Sequence, residues 1–209
     1  MTTVASFIQA VPWRMKTAER LSDAISRSDL EHSVTMVQKE GEDPWTHFFN
    51  VLDAMCASDA EWVIRFEDDA VVAPGSHIKH NCLSWPEAQR DKFGAGWLFS
   101  EPTSIIDIIY KERLETYHNN QYLTMCVAVL FRRSTLEKLL PHIRSWANDN
   151  PKGYAYDYAI SVAVKRAGLG IWRHRPPIVE HDTETKSAFG HLIRSENSTQ
   201  GAWRPHFKR

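Results

Sequence analysis

The hydrophobic and polar residues in the first third of the chain follow two alternating patterns. Residues 3–11, 33–38 and 62–67 are short apolar runs, which predict buried strands. Between these runs, residues 18–25 and 48–56 repeat apolar positions at intervals of three and four, which predicts amphipathic helices. The resulting order β-α-β-α-β is typical of a doubly wound, largely parallel sheet.

The start of the second helix has a clear local signature. Residues 41–43 form a predicted turn, in which Asp43 is well placed to cap the helix. Pro44 follows at the first helical position, where the missing N–H of proline costs nothing. The chain therefore predicts a helix that begins at Pro44 and ends before the third strand.

The second half of the chain shows the same patterns with weaker boundaries. Residues 97–99 and 105–109 predict strands, and the polar stretch 117–120 predicts a loop near a ligand. The apolar run 123–131 predicts another buried strand. Residues 134–137, with the sequence Ser-Thr-Leu-Glu, match a capping box and predict the start of a further helix.

A last helix is predicted over residues 154–167, because its apolar residues share one stripe and Gly168 is well placed to end it. Residues 170–173 and 178–179 predict two short strands on either side of a proline pair. Residues 183–209 are polar and end in a basic cluster, which is typical of a loop and tail.

The composition narrows the class of protein. A chain of 209 residues is long enough for one domain with a sizeable core, which we expect over residues 1–182, with 183–209 as its C-terminal loop and basic tail. A net charge of −1 gives no general attraction for nucleic acids or anionic membranes. We expect a cytoplasmic protein without a transmembrane segment or disulfides, because the three cysteines are scattered and no long apolar span appears.

Three consecutive carboxylates, Glu67, Asp68 and Asp69, end the third predicted strand. Because adjacent carboxylates repel one another and are costly to desolvate, a fold normally accepts them only with a compensating cation. Oxygen donors suit Mg²⁺ or Mn²⁺, which take one or two protein carboxylates and complete their shell with water and phosphate oxygens. Side chains alternate along a strand, so we expect Glu67 and Asp69 to face one way and Asp68 the other. The alternative interpretation is a solvated acidic turn.

Two further polar residues are predicted near these carboxylates. Doubly wound sheets bind ligands in the crevice beyond the carboxyl ends of their strands. Arg14 follows the first predicted strand and Gln38 ends the second, so parallel pairing would bring both to the edge that carries Glu67. An arginine there suits a diphosphate, although an arginine on an ordinary surface would have the same sequence pattern.

Taken together, these features resemble the nucleotide-sugar-dependent glycosyltransferases of the GT-A fold, most closely the lipopolysaccharide-biosynthesis and collagen galactosyltransferase type. The resemblance runs from residue 4 to residue 181 and implies a single α/β, GT-A-like (Rossmann-like) domain whose mostly parallel central sheet is flanked by helices. The stretches that carry it are Pro12-Trp13-Arg14 after the first strand, Glu67-Asp68-Asp69-Ala70 at the end of the third, the strand and helix over 125–140, and Asp157 ahead of Pro176-Pro177.

The resemblance implies a metal-dependent hexosyltransferase. Such an enzyme moves a sugar from a nucleotide diphosphate sugar, here expected to be a UDP-sugar, to an acceptor hydroxyl on a glycan or lipopolysaccharide, with inversion. Asp69 and Glu67 would bind the ion that neutralises the leaving diphosphate. In many GT-A enzymes a late histidine completes the metal shell, and His181 has a suitable context. An imidazole ligand would favour Mn²⁺ over Mg²⁺.

The resemblance also suggests which residues contact the nucleotide. The family often carries a Ser-His pair in the helix before the acidic strand, and the corresponding residues here are Thr46 and His47. The candidate nucleotide contacts are therefore His47, Arg14, Gln38 and Asp68.

An inverting transfer needs a general base on the acceptor hydroxyl. Asp157, in the first turn of the last predicted helix, is our candidate, with Glu180 and Asp182 as weaker ones. A carboxylate in that turn would equally complement the helix dipole. Aromatic residues that could stack on an acceptor, or belong to the core, are Trp146, Tyr154, Tyr156, Tyr158 and Trp172.

Three alternative functions use the same residues differently. A metal-dependent phosphohydrolase or nucleotidyltransferase would need more ligands than the acidic strand provides, and only His181 and Asp182 could supply them. A non-catalytic nucleotide- or carbohydrate-binding module would keep the crevice alone. A transferase that modifies a base in DNA is suggested by the basic and aromatic residues of 203–209.

Overall fold

The fold was analysed in a computed structural model of the chain. The strand predicted at 105–109, the tail 183–209 and Tyr154 lie outside its described residues. The residues that the structure describes are 2–73, 75–99, 117–119, 123, 126–151, 155–174 and 177–182.

Nine strands and five α-helices are formed by the described residues. The strands are β1 Val4–Ala10, β2 Val34–Val37, β3 Trp62–Glu67, β4 Ala70–Val71, β5 Phe93–Trp97, β6 Tyr117–Asn119, β7 Ala128–Arg132, β8 Gly170–Arg173 and β9 Glu180–His181. The helices are α1 Met15–Ser26, α2 Pro44–Ala57, α3 Ile78–Ser84, α4 Arg133–Asp149 and α5 Tyr156–Arg166, with 3₁₀ turns at Pro12–Arg14 and Pro86–Gln89.

Seven of the strands form one sheet, in the order β2-β1-β3-β7-β5-β8-β6. β1 pairs in parallel with β2 and β3, and β5 pairs in parallel with β8, whereas β7 and β6 run antiparallel to their neighbours. Five of the seven strands therefore share one direction. Helices α1, α2, α4 and α5 pack against this sheet. The expected α/β class with a mostly parallel sheet flanked by helices is confirmed.

Local signals placed some element boundaries correctly. The Oδ2 atom of Asp43 accepts a hydrogen bond from the backbone N–H of Thr46 at 3.1 Å, and Pro44 opens α2. Gly168 ends α5 with a φ of 68°, a conformation that favours glycine. The predicted capping box is wrong, because the N-cap of α4 is Arg132, two residues before Ser134, and Glu137 pairs with Arg133 instead.

Other boundaries differ because strand pairing, and not local composition, decides them. Tyr117–Asn119, predicted as a loop, is a strand that pairs antiparallel with β8. Glu180–His181 forms a strand by pairing with β4, two residues later than predicted. β5 ends at Trp97, where the predicted strand 97–99 begins, and β7 begins five residues later than predicted. A short or polar strand is stabilised by backbone hydrogen bonds to its partner, which a single sequence does not reveal.

The buried apolar residues that the structure describes form one core cluster, which includes Trp62, Val63, Ile64 and Phe66 of β3. Gly94 and Gly96 on β5 let neighbouring elements approach closely. A Cβ atom at Gly94 would meet Val164 of α5 at 2.6 Å, and one at Gly96 would meet the Trp85 ring at 2.6 Å. In the part of the chain that the structure describes, no helix is long and apolar enough to cross a membrane.

Candidate functional site

The topology opens a crevice between the carboxyl ends of β1 and β3. From β1 the chain passes through α1 to β2 on one side, and α2 then carries it back to β3 on the other side. This reversal of the strand order is a topological switch point. At a switch point the connections diverge and leave room for a ligand beyond the strand ends. Gln9 of β1 lies in register with Glu67 of β3, so the segments that follow both strands face the same crevice.

A cavity of about 150 Å³ occupies this crevice. Its lining includes six of the eight residues predicted for the site, the other two being Asp157 and His181. The lining residues are Gln9, Val11, Trp13, Arg14, Gln38, Pro44, His47, Arg65, Glu67, Asp68, Asp69 and Tyr156.

Asp68 is bound to the segment that follows β1. Its Oδ2 atom accepts the backbone N–H of Val11 at 2.9 Å, and its Oδ1 atom accepts Nη1 of Arg14 at 2.7 Å. Burial raises the pKa of Asp68 to about 6, and Arg14 and the Val11 N–H oppose that rise. These two bonds fix the acidic turn against the end of β1.

Asp69 lies between the side chains of Arg14 and His181. Its Oδ2 atom accepts Nη2 of Arg14 at 2.9 Å and lies 3.1 Å from Nε2 of His181. Burial alone would raise the pKa of Asp69, but His181 and Arg14 outweigh it and hold that pKa below its usual value. The other oxygen, Oδ1, is buried and has no hydrogen-bond partner among the described residues. Asp69 therefore keeps one acceptor oxygen available.

His181 reaches the acidic turn through a small second sheet. β4 and β9 pair antiparallel, with Ala70 opposite His181, and the backbone N–H of Asp182 donates to the carbonyl of Asp69 at 2.8 Å. Burial lowers the pKa of His181, but the hydrogen bond and charge of Asp69 raise it by more. A residue 112 positions away in sequence is thus placed beside Asp69 by two backbone-paired strands.

The expected orientation of the three carboxylates is wrong. We expected Glu67 and Asp69 to face one way and Asp68 the other, but β3 ends at Glu67 and the two aspartates form a turn. Because strand alternation stops there, the guanidinium of Arg14 can bridge both Asp68 and Asp69. The side chain of Glu67 instead bonds to Arg65.

Arg65 lines the cavity, but the apolar pattern of β3 gave no prediction of a role for it in the site. It is fully buried, and its guanidinium bonds to Gln9 Oε1 at 2.7 Å, Glu67 Oε1 at 2.9 Å and the Cys126 carbonyl at 3.0 Å. The guanidinium carbon also lies 5.1 Å from the centre of the Phe48 ring. The signal in the sequence that could have identified Arg65 is its position two residues before Glu67, which puts both side chains on the same side of the strand.

The opposite wall of the crevice is formed by β2 and α2. His47 is buried, with Nδ1 3.4 Å from Glu42 Oε2, and its Nε2 atom has no hydrogen-bond partner among the described residues. Burial lowers the pKa of His47, and Glu42 only partly opposes this. Gln38 donates through Nε2 to the Glu42 carbonyl at 2.6 Å. Glu42 therefore connects two of the predicted nucleotide contacts.

Trp13 lies at the mouth of the crevice with 65% of its surface exposed. Such exposure is unusual for a tryptophan and leaves an aromatic face available to a ligand. The backbone just after Trp13 is fixed, because the side chain of Arg14 bonds to both Asp68 and Asp69. The backbone N–H of Arg14 also donates to the Val11 carbonyl.

The candidate bases lie around α5 and β9. Asp157 is in the first turn of α5, as predicted, and its Oδ1 atom accepts the backbone N–H of Tyr158 at 2.8 Å. Glu180 is buried in β9, and Asp182 is half-buried just after it. Tyr156, next to Asp157, lines the cavity, so the start of α5 adjoins the crevice.

The predicted aromatic residues do not share a single role. Tyr156 stacks on Phe48 with ring centres 4.3 Å apart and belongs to the core. Trp146 contacts Tyr158, which is 39% exposed. Trp172, on β8, is covered by the guanidinium of Arg90 at 4.7 Å.

The donor set can be compared with what a divalent ion requires. Among residues 2–182 that the structure describes, no group of three or more His, Cys, Asp or Glu side chains is arranged as a metal cluster. Asp69 and His181 form an adjacent pair with one unpartnered oxygen, which fits an ion that takes only one or two protein ligands. Glu67 is less suited, because Arg65 holds its Oε1 atom.

Sequence comparison assigns no family to the chain. A scan against known protein families finds no match, and neither does a search of curated proteins. Any function proposed for the crevice therefore rests on its own geometry and chemistry.

Proposed function

We propose that the crevice binds a nucleotide diphosphate sugar and that the protein is a glycosyltransferase with a single GT-A-like domain. The observation that carries this proposal is the acidic turn Asp68-Asp69, held between Arg14 and His181 at the switch point of the sheet. That arrangement combines the guanidinium of Arg14, a cationic donor for phosphate, with a carboxylate oxygen of Asp69 for a divalent ion.

The diphosphate would lie along the edge formed by Arg14 and Asp69. Arg14 offers a planar fork of N–H donors that matches phosphate oxygens. Asp69 and His181 would hold Mn²⁺ or Mg²⁺, with Glu67 close by. The ion, when bound, would neutralise charge on the leaving diphosphate.

The nucleotide would occupy the side of the crevice lined by β2 and α2. Gln38 and His47 place polar atoms there, and the unpartnered Nε2 atom of His47 lacks a hydrogen bond that a base or ribose can supply. Trp13 provides an exposed aromatic face at the mouth, which suits stacking on a ring. The expectation that the nucleotide is UDP remains part of the proposal.

The acceptor hydroxyl would approach from the start of α5. Asp157 remains our candidate general base for an inverting hexosyl transfer, supported by its position next to Tyr156 of the cavity lining. We propose a glycan as the acceptor class, following the family resemblance. A two-metal phosphohydrolase is less well supported, since the described residues form no larger ligand cluster around Asp69 and His181.

Calorimetric titration tests this proposal. UDP and GDP are titrated into the protein with Mn²⁺, with Mg²⁺ and with chelator, and the series is repeated on Asp69→Asn. We expect metal-dependent binding of one nucleotide diphosphate that Asp69→Asn abolishes. Gln89→Ala, an exposed substitution on a 3₁₀ turn away from the cavity lining, is the matched control and should bind like the wild type. No binding of either nucleotide under any condition would refute the transferase.

A further inference from the structure

Arg14 holds both aspartates of the acidic turn at the same time. Its two terminal nitrogens donate separately, Nη1 to Asp68 at 2.7 Å and Nη2 to Asp69 at 2.9 Å. All three side chains are at least nine-tenths buried. In the free protein, a cation that belongs to the chain therefore already neutralises part of the charge that would attract a divalent ion.

A divalent ion bound by Asp69 would lie close to this guanidinium. Two positive groups a few ångströms apart repel strongly where water is scarce, because the surroundings screen them poorly. The Oδ2 atom of Asp69 is already shared by Arg14 and His181. Metal binding to the empty crevice is therefore opposed by Arg14.

A diphosphate would reverse this relation. Arg14 has five N–H donors, and its Nε atom is buried without a hydrogen-bond partner among the described residues. Phosphate oxygens match the guanidinium fork at least as well as two separate carboxylates do. A ligand with two phosphates thus offers Arg14 new acceptors, while its negative charge offsets the charge of the ion.

We propose that Arg14 makes metal binding in this crevice conditional on a diphosphate. In the free protein Arg14 is the counter-ion of Asp68 and Asp69 and opposes a divalent ion. When a nucleoside diphosphate enters, Arg14 bonds to its phosphates and no longer neutralises Asp69, so Arg14 no longer opposes the ion. Arg14 thereby discriminates a diphosphate from a monophosphate. A monophosphate carries too little negative charge both to bind Arg14 and to offset the charge of the ion. This inference rests on the proposed function.

Binding of Mn²⁺ alone, followed by the electron paramagnetic resonance of the free ion, is the first test. Mn²⁺ is titrated into wild-type protein alone, with UDP and with UMP, and GDP and GMP replace them if GDP is the tighter ligand. In the wild type we expect the diphosphate to raise Mn²⁺ affinity about tenfold or more and the monophosphate to raise it by less than about threefold. Mn²⁺ must raise the affinity for the diphosphate by the same factor, because coupling is reciprocal.

Substitution of Arg14 is the second test. We expect Arg14→Gln to bind Mn²⁺ alone about tenfold more tightly than the wild type does, to bind the diphosphate about tenfold more weakly, and to lose the coupling between them. Arg14→Lys keeps the charge but not the fork, so it should still oppose Mn²⁺ alone while binding the diphosphate more weakly. Arg27→Gln, which removes an exposed arginine paired with Asp23, is the matched control.

The outcomes separate this inference from the proposed function. If the wild type binds a nucleoside diphosphate but its Mn²⁺ affinity is the same with and without that ligand, the role of Arg14 is refuted and the transferase stands. The role of Arg14 is also refuted, and the transferase stands, if Arg14→Gln folds but binds Mn²⁺ alone no more tightly than the wild type does. If Arg14→Gln does not fold, the coupling between Mn²⁺ and the diphosphate in the wild type and the Mn²⁺ binding of Arg14→Lys test the role of Arg14. Failure of the wild type to bind any nucleoside diphosphate refutes both.

Discussion

The β5 region and the crevice at the end of β3 are both buried, but different forces hold them together. Around β5, Trp85 and α5 pack so closely that no Cβ atom fits at Gly94 or Gly96. In the crevice the buried side chains are charged, a cavity of about 150 Å³ remains, and Asp69 Oδ1 and Arg14 Nε have no hydrogen-bond partner among the described residues.

This difference separates a region whose packing needs no ligand from the crevice in which we propose that a ligand binds. Apolar contacts around β5 are complete without a ligand, so changes there should alter the free energy of unfolding and leave binding intact. Buried ion pairs contribute little net stability, but each partner becomes a penalty when the other is removed. A ligand that supplies the missing partners recovers part of the cost of keeping such groups buried. Trp85 beside β5 also has an unpartnered buried atom, Nε1, but Asp69 Oδ1 and Arg14 Nε differ from it because they belong to charged groups that line a cavity.

The pair of Arg65, which is fully buried, and Glu67, which is half-buried, offers the largest effect. Arg65→Met should lower the free energy of unfolding by about 3 kcal/mol, because it leaves Glu67, Gln9 and the Cys126 carbonyl without their donor. The double variant Arg65→Met/Glu67→Gln should recover about 1 kcal/mol of that loss, since it removes the uncompensated charge. Urea denaturation of Arg65→Met, Glu67→Gln and the double variant measures both changes in the free energy of unfolding. Equal losses in Arg65→Met and in the double variant would show that no such coupling exists.

Overpacking at β5 comes next. Gly96→Ala should lower the free energy of unfolding by about 2 kcal/mol, because the new Cβ meets Trp85 at 2.6 Å and Phe93 at 2.9 Å. Gly41→Ala is the matched control. It has no atom within 4 Å of its Cβ but has a φ of 73°, so it should cost only about 1 kcal/mol of backbone strain. Folded Gly96→Ala should keep the wild-type affinity for nucleotide, and a tenfold loss would contradict the separation of the two regions.

His47 gives the crevice a measurable dependence on pH. Its folded pKa lies below its unfolded value, so the unfolded chain binds the proton more readily. The contribution of His47 to stability is therefore complete above an unfolded pKa of about 6.5 and is lost as the pH falls below it. In urea denaturation between pH 7.5 and 5, the wild type should lose more stability than His47→Gln, by less than about 1.4 kcal/mol per pH unit. Parallel curves for the two proteins would contradict this.

The exposed pair of Asp23 and Arg27 should give the smallest change in the free energy of unfolding. These side chains are 2.7 Å apart but more than half exposed, whereas the side chains of Arg65 and Glu67 are 0% and 30% exposed. Arg27→Gln should change the free energy of unfolding by less than about 0.5 kcal/mol, because water and salt screen the pair. A loss comparable to that of Arg65→Met would remove the distinction between buried and exposed pairs.

Local patterns in the sequence predicted the part of the fold that carries the crevice. Apolar runs and helical spacing gave β1, β2, β3 and the helices between them, and that order placed Arg14 and the acidic turn at one edge of the sheet. The cap at Asp43 and the end at Gly168 were predictable because turn chemistry is local.

Long-range pairing could not be predicted in the same way. The role of Arg65 depends on Gln9 being in register with Glu67, and an arginine within an apolar run does not reveal that register. That Arg14 bridges two aspartates depends on β3 ending at Glu67, because both carboxylates then lie in the turn that follows. The contact of His181 with Asp69 depends on the pairing of β4 with β9, two strands of two residues each.

The most direct measurement is a crystal structure of the protein with UDP and Mn²⁺, or with GDP if it binds more tightly, with data collected near the manganese absorption edge. We expect an anomalous peak about 2 Å from Asp69 and His181, with the diphosphate beside Arg14 and the base between Trp13 and His47. A nucleotide bound outside the crevice, or a manganese peak with no contact to Asp69, would contradict the assignment of this crevice as the donor site.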